Sequence, residues 1–201
     1  MTTRRFSRAE LESFRDAVVP DLLPREGTRL RLLFVGINPG LWTAATQAHF
    51  AHPGNRFYPA LHRAGIITRP VDPAAGMSPE DREHLLGRGI GITNLVPRAT
   101  ARADELSAEE LREGARRLRA TVRRVAPAVV AVAGITAYRS AFGVRAAGAG
   151  RQPHPLEGAV LWVVPNPSGL NAHETVDSLA RAYAAPAAEA GIPGLAGADA
   201  G

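Results

Sequence analysis

Residues 128–133, AVVAVA, place six apolar side chains in a row with no polar alternation. A strand with one face in water alternates apolar and polar residues. A strand that does not is buried on both faces, which calls for helices above and below a parallel sheet. Residues 30–35 (LRLLFV), 90–96 (IGITNLV) and 159–164 (AVLWVV) are strands of the same kind. Parallel neighbours need a crossover to return the chain, usually a helix.

Capping signals mark those helices. Ser7 to Glu10 form a capping-box pattern, with Leu11, Phe14 and Val18 following at helical spacing. Asn55 to Ala64 is a helix with Phe57, Leu61 and Ala64 on one face, its Pro59 tolerable only in the first turn. Ser78 caps another, with Pro79 at its first position and Glu80 and Asp81 in its first turn. Ser107 opens the clearest one, where Leu111, Ala115, Leu118, Val122 and Val125 form an apolar stripe. Its other side, Arg112, Arg116, Arg119 and Arg123, is a solvated face. Further helices are expected near Ala137 to Phe142 and from Glu174 to Ala185. Gly143 to Gly158 is a loop. The 201 residues suit one α/β domain over residues 1–185, followed by a flexible Ala/Gly/Pro tail over 186–201.

Absences narrow the chemistry. With no Cys, disulfides, thiolate zinc sites and iron–sulfur clusters are excluded. His49, His52, His154 and His173 match no zinc spacing, so no metal and no cofactor are expected. All 24 cationic residues are Arg, so no lysine Schiff base can form. The net charge of +5 favours polyanions, and the guanidinium fork suits phosphate, although composition bias alone yields the same balance. No apolar run approaches the roughly 18 residues of a membrane span. The N-terminus has no signal-peptide core, so a soluble, cytoplasmic protein without membrane contact is expected.

Ligands of parallel sheets bind at the carboxyl ends of the strands. Two unusual segments begin there, GINPG at 36–40 and PNPSGLNA at 165–172. Each alone is an ordinary Asn-Pro turn. Together, Asn38 and Asn166 would rim one pocket with amides and backbone N–H groups. An Asn cannot abstract a proton at neutral pH, but it can accept a hydrogen bond from a water and hold it. Such a site suits a good leaving group and an attacking water.

The stretches GINPGLWTAATQAHFAHPGNRF, GITNLV and VVPNPSGLNA resemble the signature motifs of the mismatch-specific uracil-DNA glycosylase and thymine-DNA glycosylase family, with recognisable spacing from Leu30 to Tyr183. The resemblance implies a three-layer α/β/α sandwich around a short, mainly parallel sheet. The implied activity is hydrolysis of the N-glycosidic bond of uracil or a related base, mispaired with guanine in double-stranded DNA, after the base is flipped from the stack. It implies that Asn38 positions the attacking water, that Phe50 stacks on the flipped base, and that Ile37 and Phe50 offer backbone groups to its edge. Thr43 would lie beside the pyrimidine C5 position, where a branched hydroxyl hinders thymine.

By the same resemblance, Asn166 and Ser168 shape the pocket, Asn166 structurally. Gly169, Leu170 and Asn171 form a wedge in which Leu170 fills the gap left by the base, and main-chain groups at Gly169 and Asn171 read the orphaned guanine. Where some members carry an Arg after the wedge, this chain has Ala172-His173. Neither motif holds a carboxylate. Asp104 is the nearest candidate and belongs by its context to a turn before the Ser107 cap. General acid–base help is worth roughly 10²–10⁴-fold, so a slow enzyme is expected. Without Lys it should be monofunctional, and a monomer suits a protein reading one lesion.

Other readings stay open. A small-substrate nucleosidase would use the pocket without the wedge. A protein that binds damaged or mismatched DNA without turnover would use the wedge without the water. A plain nucleotide-binding module is disfavoured because no G-x-G-x-x-G or P-loop follows the first strand.

Overall fold

The computed structural model describes residues 6–25 and 27–194. Strands β1 (Leu32–Gly36), β2 (Ile90–Asn94), β3 (Val129–Ala133), β4 (Gly150–Arg151) and β5 (Val160–Val164) form one sheet in the order β2-β1-β3-β5-β4. The first three pairings are parallel, and only β4 runs antiparallel, on β5. The helices are α1 (Arg8–Glu12), α2 (Leu41–Thr46), α3 (Phe57–Arg63), α4 (Pro79–Gly87), α5 (Ala108–Val125), α6 (Ile135–Phe142) and α7 (Val176–Glu189).

Successive side chains of a strand point to opposite faces, and the core divides accordingly. Leu32 and Phe34 of β1, with Val129 and Ala131 of β3, pack with Phe57 and Leu61 of α3, Leu85 of α4 and Leu179 and Tyr183 of α7. Leu33, Val35, Val130 and Val132 face the other way, onto Leu111, Leu118 and Val122 of α5 and Tyr138 and Ala141 of α6. The result is a three-layer α/β/α sandwich with a mainly parallel sheet. Among the described residues, no helix is long and apolar enough to cross a membrane.

Several boundaries differ from those the sequence suggests. Helix α1 ends at Glu12; Asp16 has φ +63°, and the chain then runs extended to pair Leu22 with Ile92 on the outer edge of β2. Val18 is therefore exposed rather than on an apolar helix face. Helix α2 has Gly40 as its N-cap and no capping side chain, so neither period nor cap announces six residues. Part of the segment expected to be a loop is β4.

Helix α7 continues past Ala185, through Pro186, to Glu189. Pro removes one helical hydrogen bond. Burial of Ala187, Ala190 and Ile192 in the core offsets that loss, and Glu189 accepts from Trp162 Nε1 at 2.6 Å and pairs with Arg151. Arg31 and Arg88 then donate to the carbonyls of Gly191 and Pro193. Residues 186–194 are thus part of the folded body. The rest of the expected flexible tail, 195–201, lies outside the described residues. On the arginine face of α5, Arg116 pairs with Glu113, and Arg119 and Arg123 share Glu157.

Candidate active site

Strand β3 lies between β1 and β5, so the loops leaving β1 and β5 flank its end. That end is cleared for them. Gly134 has φ +129°, and a Cβ there would come within 3.1 Å of Ile37 Cδ1. The two loops enclose an open cleft of about 1080 Å³. Every one of the nine expected site residues lines it: Ile37, Asn38 and Thr43 from the β1 exit, Phe50 from the loop after α2, and Asn166, Ser168, Gly169, Leu170 and Asn171 from the β5 exit.

The β1 loop is fixed by extending the ladder beyond the strand. Leu95 N donates to Gly36 O and Val96 N to Ile37 O, both at 2.9 Å. The Asn38 Nδ2 group is surrounded by acceptors: Pro39 O and Arg98 O at 3.1 Å and Thr100 Oγ1 at 2.7 Å. Thr100 spends its own proton on Arg102 O at 2.7 Å, so toward Asn38 it can only accept. The amide orientation is therefore determined. Nδ2 is committed to acceptors of the protein, and Oδ1 is left as the acceptor of a residue that lines the cleft.

Phe50 takes φ +56°, rare for a residue with a side chain, and its ring stacks on Phe57 with centroids 4.1 Å apart and planes 26° from parallel. Phe57 is fully buried against Phe34. One face of Phe50 thus rests on the core while the half-buried ring borders the cleft. Thr43 is buried, and its hydroxyl accepts from Ala51 N at 3.4 Å.

A further amide is present that motif reading did not single out. Asn94, the last residue of β2, pairs across the sheet with Gly36 and donates through Nδ2 to His49 Nδ1 at 3.2 Å. His49 Nε2 lies 3.0 Å from Pro20 O, which can only accept, so Nε2 carries the proton and Nδ1 is the acceptor. Burial holds this histidine neutral, pushing its pKa down to about 4. Asn94 is locked in turn, with Oδ1 over Gly36, where a Cβ would come closer than 3.0 Å. The signal for Asn94 was an amide closing an apolar strand, as at Asn38. The signal for His49 was absent, because its partners Pro20 and Asn94 are far off in sequence.

The β5 loop closes on itself. Asn166 Oδ1 accepts from Ser168 N at 3.0 Å, Asn171 N donates to Ser168 O at 2.9 Å, and Asn171 Nδ2 donates to Asn166 O at 3.1 Å. At its tip Leu170 is 87% exposed. Asp104 sits in a 3₁₀ turn before the Ser107 cap, lines the cleft, and takes two hydrogen bonds from Arg102, at 3.1 and 2.5 Å. Among the described residues, no group of three or more His, Cys, Asp or Glu is placed to hold a metal ion.

Comparison with known proteins follows the same lines. The family model for the uracil DNA glycosylase superfamily matches residues 24–186. A solution NMR structure from Methanosarcina acetivorans, described provisionally as a uracil DNA glycosylase, superposes with a TM-score of 0.56 at 17% identity. The match covers 84% of this chain and 96% of that one. At that identity the likeness concerns the fold.

Proposed function

The chain belongs to the uracil DNA glycosylase superfamily, a family of DNA glycosylases, and from that premise we propose that it hydrolyses the N-glycosidic bond of uracil mispaired with guanine in double-stranded DNA. The observation that carries the reading is the fixed amide of Asn38, a cleft-lining residue whose Nδ2 is committed within the protein and whose Oδ1 is left as an acceptor. An acceptor held in this way accepts a hydrogen bond from a water and leaves an oxygen lone pair free to attack the sugar carbon. The C1′–N1 bond breaks and its electron pair leaves with the pyrimidine anion, while a C1′–O bond forms to the water. The water's surplus proton passes through solvent to that anion, leaving free base and an abasic sugar.

The free face of Phe50 is the platform on which a flipped pyrimidine stacks, and backbone groups of Ile37 and Phe50 meet its edge. Asn94 Oδ1, with its Nδ2 committed to His49, can only accept. It therefore suits the N3–H of uracil and repels the bare N3 of cytosine. Leu170, exposed beside the cleft, is the apolar wedge that fills the vacated stack and offsets part of the few kcal/mol of unstacking. Gly169 presents main-chain groups to the opposite base, whereas the Asn171 N–H is donated to Ser168 O and its carbonyl accepts from Arg56 and Glu174 N. Thr43, buried at the cleft wall, limits room at C5 and favours uracil over thymine. No base stronger than an amide touches the water, and Asp104 is engaged by Arg102, so a slow, monofunctional enzyme acting as a monomer without metal is the reading.

The test is base release from end-labelled G·U, A·U, G·T and single-stranded uracil substrates, revealed by alkali. Activity on G·U that weakens on A·U, and falls about 10²-fold or more in Asn38→Ala, is the expected result. Equal activity on every uracil substrate sinks the reading of the opposite guanine. Duplex binding with no base release sinks the hydrolase.

A further inference from the structure

The exposed Leu170 sits on a loop that one cation supports from below. Arg56, the residue before α3, donates through Nη1 to Asn171 O at 3.0 Å and lies within 3.4 Å of Ser168 O, while its Nη2 is 3.5 Å from Gly169 O. Its backbone N–H donates to Pro167 O at 3.0 Å. A single residue of the first loop therefore meets four carbonyls of the second, on both sides of Leu170.

Two further features show that this junction is built tightly. Gly169 packs so closely on Gly54 that a Cβ at 169 would lie 2.6 Å from Gly54 O. No carboxylate among the described residues pairs with Arg56, unlike Arg63 and Arg102, which each hold one, and Arg98, which holds two. Its donors are thus spent on loop carbonyls rather than on an acid. A planar fork can reach several carbonyls at fixed angles, which the single nitrogen of a lysine cannot.

We propose that Arg56 is the positioning residue of the wedge: it holds the 168–171 loop so that Leu170 stands ready to enter the duplex before DNA arrives. This rests on the glycosylase reading and deepens it. A wedge on a free loop must be ordered at the moment of insertion. One already held avoids that cost, so the flipped state is favoured by whatever fixes the loop beforehand. Arg56 touches no reacting atom and acts only through the loop.

The test reads flipping rather than chemistry. A G·U duplex carrying 2-aminopurine beside the uracil is titrated with saturating Asn38→Ala protein, which halts base release, and the fluorescence plateau reports the unstacked fraction. Protein in excess, with saturation of the duplex confirmed by its fluorescence anisotropy, makes the plateau independent of the folded fraction of each variant. Adding Arg56→Ala should lower the ratio of flipped to stacked duplex about ten-fold, and Arg56→Lys should recover only part of the loss. Gly169→Ala disturbs the same junction from the other side and should give the same fall, which covers the case in which Arg56→Ala does not fold.

Unchanged plateaus in Arg56→Ala and Gly169→Ala, with duplex bound, overturn the positioning role and leave the glycosylase reading intact. No fluorescence rise with the Asn38→Ala reference itself overturns the base-flipping reading, and this inference with it.

Discussion

Asn38 and Asn94 are chemically alike and are held in different ways. Asn38 is fixed by two backbone carbonyls and a threonine whose proton is already spent; Asn94 is fixed by a histidine that must be neutral. That difference has a pH consequence. The His49 pKa falls from an ordinary 6.5 to about 4 on folding because burial disfavours its charged form. Between those values the unfolded chain binds a proton that the folded chain refuses. Its contribution to stability is therefore complete above pH 6.5 and is lost as pH falls toward 4. Urea unfolding at pH 7 and pH 4.5 should show about 2 kcal/mol of acid loss in wild type that is missing from His49→Gln. Equal acid losses in the two proteins would place the histidine in water.

Helix α5 shows how an element is seated. Its apolar stripe and Ser107 capping box were plain in the sequence, but Gly114 in its middle runs against propensity, since glycine in a helix interior costs about 1 kcal/mol relative to alanine. The reason is tertiary. A Cβ at Gly114 would lie 2.5 Å from Leu95 O, at the exit of β2, and Arg117 donates to that same carbonyl at 2.9 Å. Gly114→Ala should therefore destabilise by about 1–3 kcal/mol, the sign opposite to helix propensity. A thermal melt decides it, and a rise in Tm would mean that the helix can shift outward freely. Because Leu95 follows Asn94, the same substitution should also disturb the cleft.

At the scale of the molecule, charge and composition set what could follow the proposed base release. The chain carries a net charge of +5 with no Lys at all. An abasic sugar is cut by amines through a Schiff base, and arginine does not form one. The product strand should stay full-length until treated with alkali, and borohydride should trap no covalent protein–DNA adduct. A trapped adduct would assign strand cleavage to the N-terminal amine. The fold gathers the candidate site residues at the carboxyl end of the sheet, while near the other end Arg31 and Arg88 donate to the carbonyls of Gly191 and Pro193.

Much of this was determined along the sequence alone. Continuous apolar runs require burial on both faces, and so a parallel sheet with two helical layers. Asn38 and the loop that begins at Asn166 follow from turns that end strands, because strand ends in such sheets lie side by side, whereas Phe50 and the wedge at 169–171 come only from the family resemblance. What remained hidden depends on partners distant in the chain. The tautomer of His49 is set by Pro20 and Asn94, and the orientation of Asn38 by Arg98 and Thr100. Arg56 lies under a loop more than a hundred residues away. Helix α7 outlasts its proline only because Ala187, Ala190 and Ile192 find a core to enter. Period and capping act over a few residues and are written locally. The direction of an amide, the proton on a ring and the support of a loop are hydrogen-bond choices, made only when folding has brought the other half of each bond into place.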